Sequence, residues 1–127
     1  MAALGHRASN YDTITGYSLS EVATVCEHPV LSRWIYRGSH RRRRMRILLS
    51  CIWYHDMECE RWYTTEELTQ LCAEHDSRGP SAMVISNQRV GTLLRVLIAR
   101  ELVQFRVVKG KREYLKGEKY ENEMLQV

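Results

Sequence analysis

Apolar residues recur at helical spacing in two long segments of the chain. Between residues 45 and 53 they occupy positions i, i+3, i+4, i+7 and i+8, the pattern of a helix with one buried stripe: Met45, Leu48, Leu49, Ile52 and Trp53. A second stripe begins after Ser86 and ends at Leu102, and it contains Val90, Leu93, Leu94 and Leu97. The spacing therefore predicts two core helices.

Helix-start signals add three shorter or flanking helices. Ser18 with Glu21, and Thr64 with Glu67, each fit a capping box, in which two residues cap the first turn reciprocally. Pro29 interrupts the first of these helices and suits the first turn of a new one, which we expect to end at Gly38. We interpret His28 as the cap of that helix rather than as a metal ligand. The turn-forming cluster at residues 76–80 closes the helix that begins at Thr64.

A β-hairpin is predicted near the C-terminus. Residues 103–108 alternate apolar with polar side chains, Lys109-Gly110 supplies a two-residue turn, and residues 112–116 return. Such a turn places Phe105 opposite Tyr114 and Arg106 opposite Glu113, and both are favourable cross-strand pairs. The fold class is therefore mainly α with a small β-hairpin.

Composition restricts the chain to one globular domain with extensions. Of its 127 residues 44% are hydrophobic, with only 7 Gly and 2 Pro. No apolar stretch reaches the roughly 18 residues of a membrane-spanning helix, and residues 1–10 lack the apolar run of a secretory signal. We expect an intracellular protein, in the cytoplasm or nucleoid or in a eukaryotic nucleus, with its four cysteines reduced.

The net charge of +4 is distributed in blocks of alternating sign. Residues 1–46 carry a net +5, residues 47–85 a net −5, residues 86–117 a net +6 and residues 118–127 a net −2. Blocks of this kind indicate that two basic segments converge on one face, with acidic surface elsewhere. The alternative is that each block is only a solvated face.

Two features point to a polyanionic partner. Arg41–Arg44 lie in the first turn of a predicted helix, where positive charge opposes the helix dipole, so we expect the run to contribute nothing to folding and to contact phosphates instead. Nuclear targeting and an acidic protein surface are the alternatives. On the helix after Ser86, 100° per residue places one polar wedge opposite the apolar stripe: Gln88, Thr92, Arg95 and Ala99.

The order of these elements resembles a winged helix-turn-helix. The resemblance covers residues 39–117 and is nearest to the C-terminal winged helix of archaeal and eukaryotic origin-recognition initiators. It is carried by three segments: Tyr63–Cys72 (YTTEELTQLC), Ser86–Leu94 (SNQRVGTLL) and Leu102-Val103. Those initiators also carry an ATPase region, whereas this sequence has no G-x-x-x-x-G-K-[ST] phosphate loop. The resemblance therefore implies a freestanding module with four parts: a flexible arm (1–16), an N-terminal helical extension (17–38), the winged helix-turn-helix (39–117) and a C-terminal tail (118–127).

The resemblance implies a non-enzymatic protein that binds double-stranded DNA and regulates transcription or assists replication, without a cofactor. The recognition helix is then residues 86–100, which lies in the major groove, while the wing and the arginine run contact the backbone. The alternative is a protein-interaction module whose basic surface docks an acidic partner, and a second copy of the chain is a further candidate partner. The candidate DNA-binding residues are Arg41, Arg42, Arg43, Arg44, Arg46, Asn87, Gln88, Arg89, Thr92, Arg95, Lys109, Lys111 and Arg112.

Other chemistry has weaker support in the sequence. Four potential zinc ligands, His55, Cys59, Cys72 and His75, have spacings that match no zinc finger, so we expect no metal and interpret Cys72 as a core residue. The acidic residues between 56 and 67 show no sign of the pocket and partner acid or metal that hydrolysis requires. We interpret Trp34, Trp53 and Trp62 as packing residues rather than as platforms for single-stranded bases.

Overall fold

The computed structural model describes Asp12 and residues 15–37, 39–75 and 85–117, without the side chains of residues 40 and 41. Its elements follow in the order α1 (Leu19–Cys26), α2 (Leu31–Ile35), α3 (His40–Cys51), a π-helix (Ile52–Asp56), β1 (Trp62–Thr64), α4 (Thr65–His75), α5 (Asn87–Ala99), β2 (Val103–Val108) and β3 (Lys111–Lys116). The predicted mainly helical fold with a small antiparallel sheet is confirmed. No helix of the described ranges is both long and apolar enough to span a membrane.

The N-terminal extension is built from local capping signals. The Ser18 hydroxyl accepts from the Glu21 N–H, and the Glu21 carboxylate accepts from the Ser18 N–H, both at 3.1 Å, so the predicted capping box is confirmed. The buried His28 Nδ1 accepts from the backbone N–H groups of Val30 (3.1 Å) and Leu31 (3.2 Å). His28 therefore caps α2 as predicted, and burial lowers its pKa.

Helix α3 continues directly into the π-helix, so the apolar stripe crosses both. All five predicted stripe residues are buried, and Trp53 donates from Nε1 to the Leu102 carbonyl oxygen at 2.8 Å. The π-helical turn was not predicted. Its carbonyl end is contacted from β3, because the buried Lys116 donates from Nζ to the Tyr54 carbonyl oxygen at 3.1 Å.

The sheet has the strand order β1-β3-β2 and is antiparallel throughout. The hairpin has the predicted register, with Phe105 opposite Tyr114 and Arg106 opposite Glu113. Lys109 (φ 52°) and Gly110 (φ 78°) are both left-handed, which matches the twist of a two-residue hairpin turn. Strand β1 was not predicted from the sequence.

Helices α4 and α5 complete the core under this sheet. Thr64 and Glu67 form the second predicted capping box, with both hydrogen bonds at 3.1 Å. Leu68 and Cys72 of α4 are fully buried, as are Val90, Leu94 and Leu97 of α5. The predicted turn at residues 76–80, the C-terminal tail and most of the predicted N-terminal arm lie outside the described residues.

Candidate functional site

Helix α5 has one buried side and one exposed side. It begins at Ser86, whose hydroxyl accepts from the Arg89 N–H at 3.1 Å, and its inner stripe fixes it against the core. The polar wedge predicted on the opposite side is exposed at all four positions, Gln88, Thr92, Arg95 and Ala99. In the described part of the chain, the side chains of Gln88 and Arg95 form no hydrogen bond or ion pair, so their polar groups face solvent.

A groove separates the first three turns of α5 from the arginine-rich start of α3. Its volume is about 570 Å³, and cationic and polar groups surround an apolar floor. The polar lining consists of Arg42, Arg46, Ser86, Gln88, Arg89 and Thr92, and the apolar lining consists of Trp34, Met45, Leu93 and Val96. The fold therefore brings one part of the arginine run beside the polar wedge of α5, although more than 40 residues separate them in sequence.

The arginine run has a structural role that the sequence analysis did not foresee. Arg46 donates from Nη1 to the carbonyl oxygens of Trp34 (2.8 Å) and Arg37, which lie at the C-terminal end of α2 and beyond it. Arg43 places its guanidinium 4.8 Å from the ring centroid of Tyr36. The expectation that the run Arg41–Arg44 contributes nothing to folding is wrong for Arg43, which packs on the N-terminal extension. Arg46, two residues beyond the run, also ties α3 to this extension.

Positive charge is concentrated at this junction. Burial lowers the pKa of Arg46, and the neighbouring cations Arg42, Arg100 and Arg37 lower it further. Arg42 is exposed and Arg44 is half-buried, whereas the side chain of Arg41 lies outside the described residues. Mutual repulsion among these guanidinium groups is relieved when an anion binds between them.

A second, smaller cleft lies between α5 and the hairpin. It has a volume of about 350 Å³ and is lined by Thr65, Glu66, Asn87, Gln88, Lys111, Arg112 and Tyr114. Gln88 lines both this cleft and the groove, so the two depressions flank the first turn of α5. Arg95 and Lys109, two other predicted site residues, are exposed but line neither depression.

The acidic block borders a different region of the molecule. A cleft of about 490 Å³ is lined by Asp56, Arg61, Tyr63, Glu66, Glu67, Gln70 and Leu71. Only Glu66 also lines the cleft beside the hairpin, so it marks the boundary between the basic and acidic surfaces.

A polar network fastens the N-terminal extension beside this acidic cleft. The Tyr17 hydroxyl donates to Asp56 Oδ2 at 2.8 Å and lies 3.1 Å from His75 Nε2, which is 2.5 Å from the same carboxylate oxygen. The Tyr17 and His75 rings are stacked at 4.2 Å. Burial raises the pKa of Tyr17, and Asp56 raises it further, so the hydroxyl keeps its proton and donates a hydrogen bond to the carboxylate.

The four candidate zinc ligands are not gathered into a site. Cys72 is fully buried and Cys59 is exposed, and burial raises the pKa of the Cys72 thiol to about 12, which disfavours the thiolate that zinc requires. Among the described residues, no three His, Cys, Asp or Glu side chains are grouped to hold a metal ion.

The hairpin contains a candidate residue that the sequence analysis missed. Phe105 was predicted only as half of a cross-strand pair, yet 45% of its surface is exposed, and the guanidinium of Arg112 lies 4.8 Å from its ring centroid. The alternating pattern did not predict this exposure, because it does not show that the distal half of the hairpin extends past the core.

Comparisons with protein-family models, with curated proteins and with solved structures found no match.

Proposed function

We propose that the chain is a non-enzymatic, intracellular protein that binds double-stranded DNA and acts in transcription regulation or in replication. The observation that carries the proposal is the position of Gln88 between two depressions, one bordered by the arginines of α3 and the other by the basic end of β3. Three segments distant in sequence thereby border one exposed, predominantly basic surface around the start of α5. We call this surface, formed by Arg42, Arg46, Gln88, Arg89, Thr92, Lys111 and Arg112, the basic surface.

The topology supports a winged helix-turn-helix reading of the fold. From α3 onward the elements are a helix, a short strand, two helices and a hairpin. The returning strand of the hairpin pairs with the short strand, which gives the sheet order β1-β3-β2. In this reading α4 and α5 are the helix-turn-helix and β2–β3 is the wing. The resemblance to the winged helix of origin-recognition initiators belongs to the same proposal and favours DNA as the partner.

The exposed wedge of α5 has side chains suited to reading bases. Gln88 has the donor and acceptor for a paired contact to adenine, Arg95 has two donors for guanine, and Thr92 has a methyl group for the methyl of thymine. Each good paired contact contributes roughly 1–3 kcal/mol of discrimination against the wrong base. Ala99, small and exposed, permits close approach of the helix to the groove floor.

The residues around this wedge have the chemistry of phosphate contacts. Arg42 and Arg89 flank the wedge on one side, and Lys111 and Arg112 flank it on the other. The first turn of α5 adds backbone N–H donors and the positive end of the helix dipole. In this arrangement cations position the duplex backbone on both sides of the helix that reads the bases.

A salt titration with matched variants tests the proposal. Contact with about six phosphates predicts that log affinity for a duplex falls with log salt at a slope of about −5, since each phosphate contributes roughly 0.9. Arg42→Gln on the basic surface is expected to make the slope shallower by about 0.9, whereas Arg61→Gln beside the acidic cleft is expected to leave it unchanged. A flat titration would instead favour a module that docks an acidic protein.

A further inference from the structure

Strand β2 exposes three large apolar side chains on an otherwise charged hairpin. Phe105 is 45% exposed, Val107 61% and Val108 38%. The strand lies at the edge of the sheet, and the turn beyond it carries Lys109 and Lys111. Exposed apolar groups clustered in this way often mark a binding surface.

The strand register divides these side chains between two faces. Side chains alternate along a strand, so Phe105 and Val107 share one face with their cross-strand partners Tyr114 and Arg112. Tyr114 is buried, and its hydroxyl lies 3.4 Å from Thr65 Oγ1, so this face is turned toward α4. We call the exposed part of this face, formed by Phe105, Val107 and Arg112, the wing platform.

On the opposite face of the hairpin, the cation contacts other side chains of the chain. Val108 lies there with Arg106, whose guanidinium is 4.1 Å from the Trp62 ring centroid and donates to Glu113 Oε1 at 2.7 Å. Both faces therefore carry an aromatic ring beside a guanidinium. Trp62 is half-buried and its cation Arg106 is already paired with Glu113. On the wing platform, the Phe105 ring is among the exposed large apolar side chains.

The chemistry of the wing platform selects its occupant. The platform combines the flat apolar ring of Phe105 with the guanidinium of Arg112, and two lysines lie at the tip of the same hairpin. This combination complements a polyanion that also has apolar faces. Nucleobases meet this description and stack on aromatic rings with little regard to sequence. In an intact duplex these faces are covered by neighbouring base pairs, so only unpaired nucleotides present them.

The platform also lies next to the surface proposed to hold a duplex. Arg112 belongs to the wing platform and lines the cleft with Asn87 and Gln88 at the start of α5. A strand that leaves a duplex beside α5 on that side therefore reaches Phe105 within the length of the hairpin. Among the described residues, Glu66 is the one acidic residue that lines this cleft.

We propose that the wing platform stacks unpaired bases next to a duplex held by α5, so that the preferred ligand is a junction between double-stranded and single-stranded DNA. The proposal rests on the proposed function, because α5 must hold the duplex part. Arg112 pairs with the backbone of the departing strand, and Phe105 receives a base.

The test compares affinities for a blunt duplex and for the same duplex with a short single-stranded extension, by fluorescence anisotropy at fixed salt. We expect the full chain to bind the junction about tenfold more tightly, the scale of one base stacked on an aromatic ring. Phe105→Ala is expected to remove this preference and leave blunt-duplex affinity unchanged. Val108→Ala, on the opposite face, is the matched control and should keep the preference.

Two further variants separate stacking from apolar contact. Phe105→Trp preserves an aromatic face and should retain the preference, whereas Phe105→Leu preserves apolar area alone and should lose it. Thermal melts of each variant should match the parent, because the side chain at 105 lies outside the buried core.

The possible outcomes distinguish this proposal from the one it rests on. Equal affinity for the junction and the blunt duplex, or a preference that survives Phe105→Ala, would overturn the wing platform while leaving duplex binding intact. Failure to bind either DNA would overturn both proposals. If Phe105→Ala instead converts a dimer into a monomer in sedimentation measurements, the face belongs to a second copy of the chain and the base-stacking role is wrong.

Discussion

The start of α3 and the outer side of α5 border the same groove, yet they use their polar residues differently. In α3, Arg46 donates to backbone carbonyl groups at the end of α2, and Arg43 lies over Tyr36, so the cations there also hold the N-terminal extension. In α5, Gln88 and Arg95 point into solvent, and an apolar stripe on the other side fixes the helix. This stripe is fully buried except at Leu93, which is partly buried and lines the groove. Under the proposed function, the same residues of the first region serve both stability and DNA binding, whereas in the second region the buried side serves stability and the exposed side serves binding.

This contrast teaches how to interpret substitutions on a basic surface. Loss of DNA affinity on removal of an α3 arginine does not by itself identify a phosphate contact, because the same change loosens the extension. A loss from the outer side of α5 without a change in unfolding free energy identifies a contact with the ligand.

The largest effect is expected on the inner side of α5, one residue away from the proposed base-reading side chain. Leu94 is fully buried, so Leu94→Ala should lower the unfolding free energy by about 2–5 kcal/mol through lost burial and a residual cavity. Urea denaturation measures this change. A loss below about 0.5 kcal/mol, the range typical of surface substitutions, would contradict the packing of α5 described above.

Arg46→Ala should have the next largest effect and should affect both properties. Removing the guanidinium breaks its charge-assisted hydrogen bonds to the Trp34 and Arg37 carbonyl oxygens, which costs about 1–3 kcal/mol of stability. DNA affinity should fall as well. Arg46→Lys tests the geometry, because an ammonium supplies charge without the planar fork and should restore affinity more fully than stability. Full stability in Arg46→Ala would show that the contact with α2 is dispensable.

Arg95→Ala should change binding alone. We expect discrimination between a selected duplex and random DNA to fall by about 1–3 kcal/mol, with the unfolding free energy unchanged within about 0.5 kcal/mol. Competition binding with selected and random duplexes measures the first quantity, and urea denaturation measures the second. If Arg95→Ala weakens binding to both duplexes equally, this residue contacts the backbone and reads no base.

The smallest effect is expected from pH and confined to the extension. His28 must be neutral at Nδ1 to cap α2, and burial lowers its folded-state pKa, so the unfolded chain binds the proton more readily. Stability from this cap is present above the ordinary histidine pKa of about 6.5 and is lost as pH falls below it. His28→Asn, which caps without titrating, should flatten the dependence between pH 7 and 5. If the pH dependence of stability is unchanged in His28→Asn, groups other than His28 cause it.

Local signals in the sequence predict much of this fold. The two capping boxes, the apolar stripes and the Lys109-Gly110 turn each depend on residues within a few positions of one another, and each is present as expected. Strand β1 depends on pairing with β3, about 50 residues away, and its three residues carry no alternation of their own. Long-range partners of this kind leave no local pattern.

The candidate site divides in the same way. The exposure of Gln88, Thr92 and Arg95 follows from helical periodicity and the opposite apolar stripe, so the sequence sufficed to predict it. Two other features depend on how the elements pack: Arg46 contacts α2, and Phe105 lies beyond the core. The spacing of residues along the sequence does not predict such packing. The exposure of polar residues on one helix is thus easier to predict from sequence than the role of a cation whose partners lie on another helix.

The central claim is that the start of α3, the outer side of α5 and the hairpin form one surface for one duplex. Titration of the isotope-labelled protein with a DNA duplex, followed by NMR shifts of the backbone amides, tests it most directly. We predict that shifts at residues 42–46, 86–95 and 109–112 follow a single saturation curve, with little change at residues 61–71 outside the shared Thr65–Glu66 boundary. Separate saturation curves for the three segments, or shifts concentrated around the acidic cleft, would contradict the claim.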